Sequence, residues 1–176
     1  MAENAPQQAS DIKAGDHPAY MKFALSLATE SPPKPTNYRV GAVVVDVVTN
    51  EILATGYTLE LPGNTHAEQC CFEKLAQKYD TAASQLGEVL LNQVVLYTTM
   101  EPCSERLSGN LPCLDRILAI GNKIETVYVG VYEPEKFISN NSSKRKLEDA
   151  NIKFVHIPGF EEEILEVATA GHEKTS

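Results

Sequence analysis

The chain has 176 residues, 43% of them apolar and none of them Trp, and a formal net charge of −9. That length suits one domain with a full-sized core. The acidic balance argues against tRNA or DNA as a partner, because phosphates ask for a basic face and the only dense basic cluster is Lys144-Arg145-Lys146.

Met1 to Gly15 is rich in Ala, Gln, Asn and Asp and reads as a flexible arm. It has no basic region followed by an apolar stretch, so no secretory signal is expected. Residues 16–176 read as a single domain. Asp16-His17-Pro18 opens a helix, on which Tyr20, Phe23, Ala24, Leu27 and Ala28 recur at helical spacing. Ser31-Pro32-Pro33-Lys34-Pro35 ends it. Val40 to Val45 reads as a buried strand, and Glu51 to Tyr57 as its hairpin partner. The apolar run Val40 to Val48 is too short to cross a bilayer and contains Asp46, so no membrane partner is expected. Thr65 reads as the cap of a helix from about His66 to Tyr79, with Cys70 and Cys71 on its buried side.

Residues 80–92 carry no clear period and read as a connector. Gln93 to Thr98 is a strand, Leu111 or Pro112 to Ile120 a helix stopped by Gly121, and Glu125 to Tyr132 a fourth strand. Ser142 to Ala150 is a short helix, Asn151 to Ile157 a fifth strand, and Phe160 to Ala170 a terminal helix with acid in its first turn. This alternation predicts an α/β fold, a three-layer α/β/α sandwich around a mixed five-stranded sheet.

The most informative residues are His66-Ala67-Glu68, Pro102-Cys103 and Pro112-Cys113. One imidazole and two thiolates make a three-point claw for Zn2+, with a fourth position left for water. A glutamate two residues from the histidine is suited to move protons to and from that water. Together they suggest hydrolytic deamination, in which activated water attacks a ring carbon bearing an amino group. The alternative is a surface histidine, two buried thiols and an ordinary acid in a helix first turn. A catalytically silent zinc module acting as a partner subunit would have no need of Glu68. Four cysteines of which two suit a metal, with Cys70 and Cys71 adjacent, do not form a disulfide framework and point to a reducing, cytoplasmic or nuclear compartment.

Zinc deaminases carry H-x-E followed by P-C-x-x-C, and this chain departs from that spacing. Nine residues, Ser104 to Pro112, separate Cys103 from Cys113. Gly109-Asn110 is a turn pair, and Pro112 can open a helix whose first turn carries Cys113, so the long loop can return to the metal. Thr99-Met100-Glu101-Pro102-Cys103-Ser104 with a second Pro-Cys resembles the deaminases of riboflavin biosynthesis, within the cytidine deaminase-like superfamily. Arg106-Leu107-Ser108-Gly109-Asn110 is similar to their fungal branch.

The resemblance implies a small phosphorylated pyrimidine substrate, the diamino-ribitylamino-pyrimidinone phosphate, and a homodimer or other homo-oligomer. The bacterial enzymes often fuse this deaminase to a reductase. Here the reductase is expected to act as a separate protein. The resemblance also implies substrate contacts from Asn37 and the Ala67 backbone N–H. Glu101, at the strand end beside the metal loop, offers its backbone carbonyl for another, while its side chain reads as structural. Arg106 offers a fork for the substrate phosphate, against the plain reading of a solvated loop arginine. A nucleoside, nucleotide or free-base deaminase of the cytidine or cytosine type has the same metal motif and is the rival reading. His17, His156 and His172 belong to no motif.

Overall fold

The structure is a computed structural model and describes residues 12–106, 108–133 and 142–172. β1 (Gly41–Asp46) and β2 (Ile52–Tyr57) form an antiparallel hairpin, and β3 (Val94–Met100) lies antiparallel on the other side of β1. β4 (Ile124–Val131) runs parallel to β3, and β5 (Lys153–His156) parallel to β4. The sheet order is β2-β1-β3-β4-β5, the mixed five-stranded sheet expected. Every residue of β1 and β3 is buried, as strands covered on both faces must be.

Two glycines show how the layers meet. Gly41 faces α1 (His17–Ala28), where an added Cβ would stand 1.8 Å from the Ala24 carbonyl oxygen. Gly56 pairs with Ala42, so it faces the opposite side of the sheet. A Cβ there would lie 2.2 Å from the carbonyl oxygen of Ala67, which begins α2 (Ala67–Lys78). Backbone therefore packs directly on backbone at both places, and α1 and α2 lie on opposite faces.

α2 touches α3 (Leu86–Val89) and α4 (Cys113–Ile120), while α6 (Glu161–Ala168) packs on β4 and against α1. α5 (Ser142–Asp149) packs on β5 and exposes Lys144, Arg145 and Lys146 as a solvated face. Among the described residues no helix is long and apolar enough to cross a membrane.

Asp16 caps α1, accepting from the Ala19 amide at 3.2 Å, and Gly121 (φ 78°) closes α4. The cap of α2 differs from expectation. His66 occupies it, because the Thr65 hydroxyl is spent on the Leu61 carbonyl at 2.9 Å. β3 runs two residues past Thr98, with Met100 paired to Val131. The connector at 80–92 contains a 3-10 turn (Ala83–Gln85) and α3, whose buried Leu86 gave too short an apolar pattern to be read. Of the expected N-terminal arm, residues 1–11 lie outside the described residues, and Ile12 is buried with its carbonyl accepting from Asn50 Nδ2 at 2.8 Å.

Candidate active site

Two helix starts converge beyond the carboxyl ends of β3 and β4. His66 caps α2 in an extended conformation (φ −95°, ψ 160°), and Glu68 follows in the first turn. Glu68 is only 3% exposed. The Thr98 hydroxyl stands 3.0 Å from Glu68 Oε1 and 2.9 Å from the Met100 carbonyl, so its single proton serves one acceptor at a time.

At the other start, Pro112 is extended and Cys113 is the first residue of α4. The Cys113 amide donates to Cys103 Sγ at 3.3 Å, and the Leu114 amide to the Cys103 carbonyl at 3.0 Å. The inter-cysteine loop thus returns so that Cys103 caps the helix that Cys113 begins. Gly109, at φ +80°, supplies the turn.

These placements bring three ligand atoms together. His66 Nδ1 lies 3.5 Å from Cys103 Sγ and 3.5 Å from Cys113 Sγ, and all three atoms fall within 4.8 Å of one another. A tetrahedral zinc with Zn–N near 2.05 Å and Zn–S near 2.3 Å needs an N···S separation of about 3.6 Å. The residues fit the metal. Both helix starts add positive potential, which favours thiolates at the α4 end.

The hydrogen bond from Cys113 pushes the Cys103 thiol well down, with His66 and the Cys113 amide adding to it. The same bond, together with burial, pushes Cys113 up. Burial raises the Glu68 carboxyl above its ordinary range, with the negative Cys103 adding to it and His66 and Thr98 opposing. A carboxyl so placed takes up and gives back a proton more readily than a solvated one.

The ligands face a cleft of about 220 Å³. Asn37, His66, Glu68, Glu101, Cys103 and Arg106 all line it. Cys113 and Ala67 lie fully buried, outside the lining. Asn37 Nδ2 donates to Asn64 Oδ1 at 2.9 Å. The Glu101 carboxylate accepts from the Glu133 amide at 3.1 Å, which ties the ends of β3 and β4 together. Arg106 bonds Gln69 Oε1 (3.0 Å), the Leu111 carbonyl (3.4 Å) and the Asn64 carbonyl. Those contacts use three of its five donors. Cys70 and Cys71 are buried beside β1 and β2, their thiols directed at the Tyr57 and Ala42 carbonyls.

Sequence reasoning missed Asn64 and Glu133, which also line the cleft. Glu133 follows the carboxyl end of a parallel strand beside β3, and that end of a parallel sheet is where ligands bind, so its position was the available signal. Asn64 sits in a Pro-Gly loop and gave none.

The model of the cytidine and deoxycytidylate deaminase zinc-binding region matches residues 15–131. The chain belongs to this family. As in the family, zinc is the cofactor, and His66, Cys103 and Cys113 are placed to hold it.

This deaminase-family chain is 37% identical over 161 residues to the diaminohydroxyphosphoribosylamino-pyrimidine deaminase of Schizosaccharomyces pombe, a match covering 92% of this chain. It spans 37% of that curated relative's length. The Aspergillus oryzae Rib2 deaminase, a C-terminal deletion mutant in complex with DARIPP, superimposes with a TM-score of 0.80 at 44% identity, covering 89% of this chain and 92% of that one. The deaminase/reductase of Thermotoga maritima superimposes with a TM-score of 0.68 at 27% identity, covering 88% of this chain and 40% of that one.

Proposed function

We propose that this chain is a zinc-dependent aminohydrolase that removes an exocyclic amino group from the diamino-ribitylamino-pyrimidinone phosphate of riboflavin biosynthesis. The observation that carries the reading is the buried Glu68 carboxyl beside the His66, Cys103 and Cys113 ligand atoms, at a cleft wide enough for a pyrimidine. The likeness to the fungal deaminases over nine-tenths of the chain supports the substrate class.

Zinc supplies Lewis acidity that makes a nucleophilic water available at neutral pH. The chain's own groups do the rest. Glu68 accepts a proton as water oxygen bonds to the amino-bearing ring carbon, and passes it to the adjacent ring nitrogen. It then moves a second proton to the amino group, the C–N bond breaks and ammonia leaves, so that the ring carbon ends as a carbonyl. Asn37 and the Glu101 backbone carbonyl orient the ring, and Arg106 takes the phosphate with the donors its protein contacts leave over. Ala67, buried behind the lining, is left without a part.

The chain acts as a homodimer or other homo-oligomer, a reading supported by the exposed apolar Tyr132 and Val155 beside the sheet edge. It works in the cytoplasm, where the free thiols Cys70 and Cys71 stay reduced.

The test is ammonia release from the ribitylamino-pyrimidinone phosphate, its ribosyl counterpart, cytidine and deoxycytidylate. Turnover confined to the phosphorylated pyrimidinones is the expected result. Turnover of cytidine or deoxycytidylate alone would keep the chemistry and remove the substrate assignment. Zinc content with no ammonia from any substrate would point instead to a silent partner subunit.

A further inference from the structure

We propose that His172, at the far end of the chain and outside the cleft, is a positioning residue for the loop that presents Asn37 to substrate. The proposal rests on the reading that Asn37 contacts the substrate.

The loop between α1 and β1 fixes itself only in part, through Arg39 Nε and Nη2, which donate to the Ser31 and Thr29 carbonyls at 2.8 and 2.6 Å. Pro32, Pro33 and Pro35 have no N–H to donate, and no strand or helix covers residues 29–40. What holds it comes largely from the end of α6. His172 Nε2 lies 2.9 Å from the Asn37 carbonyl oxygen. A carbonyl only accepts, so this nitrogen carries the proton and the imidazole donates, whether neutral or charged. The same ring lies 5.0 Å, centroid to centroid, from Tyr38.

Neighbouring contacts repeat the pattern. The Arg39 amide donates to the Ala168 carbonyl at 3.1 Å, and Arg39 Nη1 to the Val167 carbonyl at 3.5 Å. Gly171 lies so close to the loop that a Cβ there would stand 2.4 Å from the Lys34 nitrogen. His172 is itself set by its amide, which donates to the Thr169 carbonyl at 2.9 Å.

The geometry has a direction. His172 grips the backbone of Asn37, and the Asn37 side chain reaches across to Asn64 Oδ1 on the loop that precedes His66. A hold on the carbonyl leaves the side-chain amide free to exchange Asn64 for substrate without the loop moving. Such pre-ordering acts on substrate capture, because loop freedom otherwise has to be frozen on binding. It leaves the metal ligands untouched.

The test uses the full chain loaded with zinc, with His172→Ala, His172→Gln and Asn37→Ala assayed on the ribitylamino-pyrimidinone phosphate. Gln places an N–H close to where the imidazole Nε2 stands. His172→Ala is expected to raise KM about 3- to 10-fold, the weight of one hydrogen bond, with kcat within about twofold and zinc content unchanged. His172→Gln is expected to return KM to near the parent value. An unchanged KM in His172→Ala, while Asn37→Ala raises it, would overturn the positioning role alone. A KM raised equally in the Ala and Gln variants, with melting temperature falling in step, would show a merely structural contact and also overturn it. An unchanged KM in Asn37→Ala would instead remove Asn37 from the substrate site, whatever His172 does.

Discussion

Gln69 and Arg106 join the two halves of the metal site through one oxygen. Gln69 Oε1 accepts from Arg106 Nη1 at 3.0 Å and from the His66 backbone amide at 3.3 Å. The helix start bearing His66 and the loop bearing Cys103 are therefore braced against each other, and a third bond from Arg106 reaches the Asn64 carbonyl.

Arg106 braces the site through Gln69 and Asn64, and the proposed function adds phosphate recognition to that role. If it also meets the phosphate, Arg106→Ala raises KM for the phosphorylated pyrimidinone about tenfold or more, the scale of a charge-assisted bond. The dephosphorylated compound then loses only the share that belongs to the brace, and so clearly less than the phosphorylated one. Equal losses on both compounds would leave Arg106 as a brace and remove it from phosphate recognition.

Removal of zinc is expected to leave the protein folded but easier to melt. The core formed by β1, β3, β4 and their helices does not pass through the metal ligands, so circular dichroism should persist after chelation. Ligand binding at about 100 times Kd stabilises by roughly 2.7 kcal/mol, which is a shift of roughly 5–10 °C for a chain of this size. Cys103→Ser and Cys113→Ser should each show the lower melting temperature with or without chelator. A chelated protein that loses its circular dichroism would show that the metal is needed for folding.

Gly56 faces the Ala67 carbonyl oxygen, one residue from His66 and Glu68. Neither backbone can give way easily, because β2 is pinned to β1 and α2 is pinned to the sheet. Gly56→Ala is expected to cost about 1–3 kcal/mol of stability, as overpacking does, and to lower zinc occupancy. Denaturant melts and metal analysis on one preparation check both. Full zinc occupancy with wild-type stability would mean that the α2 start tolerates displacement.

Asp46 gives a pH test away from the metal. Burial alone raises its pKa, but bonds from the Thr49 and Val48 amides and the Asn92 side chain outweigh burial and hold it below the ordinary carboxylate value. A depressed folded-state pKa stabilises fully above the unfolded value, near 3.8, and is lost as pH falls through the folded value. Asp46→Asn should therefore be about 1 kcal/mol less stable at neutral pH and should converge on the parent protein as pH falls through the depressed folded-state value. A difference that persists at low pH would assign the loss to packing.

What the sequence made legible is chemistry that is local in type even where it is distant in number. His66, Cys103 and Cys113 declared themselves because a histidine and two Pro-Cys pairs are ligand types for one metal, although only His66 and Pro112-Cys113 stand at helix starts while Pro102-Cys103 follows β3. The strands were readable from apolar runs such as Val40 to Val45. Long-range braces carry no such mark. Nothing in Gln69 announces Arg106, and His172 has no pattern linking it to Asn37, 135 residues away. The Thr65 cap was misread for a related reason. A threonine before a helix looks like a cap until the Leu61 carbonyl is seen to occupy its hydroxyl.

The same limit hid the aromatic stack on the α1 face. His17 Nδ1 lies 2.7 Å from the Tyr97 hydroxyl, and Tyr97 stacks on Tyr20 and Tyr128 with centroids 4.8 Å apart in each pair. The residues come from α1, β3 and β4, and only the folded sheet assembles them.

The most direct measurement is turnover and zinc content together for Glu68→Gln beside the parent protein on the ribitylamino-pyrimidinone phosphate. Glu68 is not a metal ligand, so its amide should keep zinc at the parent stoichiometry while ammonia release falls by about a hundredfold or more, the scale of lost proton transfer. Near-parent turnover with zinc in place would contradict the account by taking the carboxylate out of the reaction.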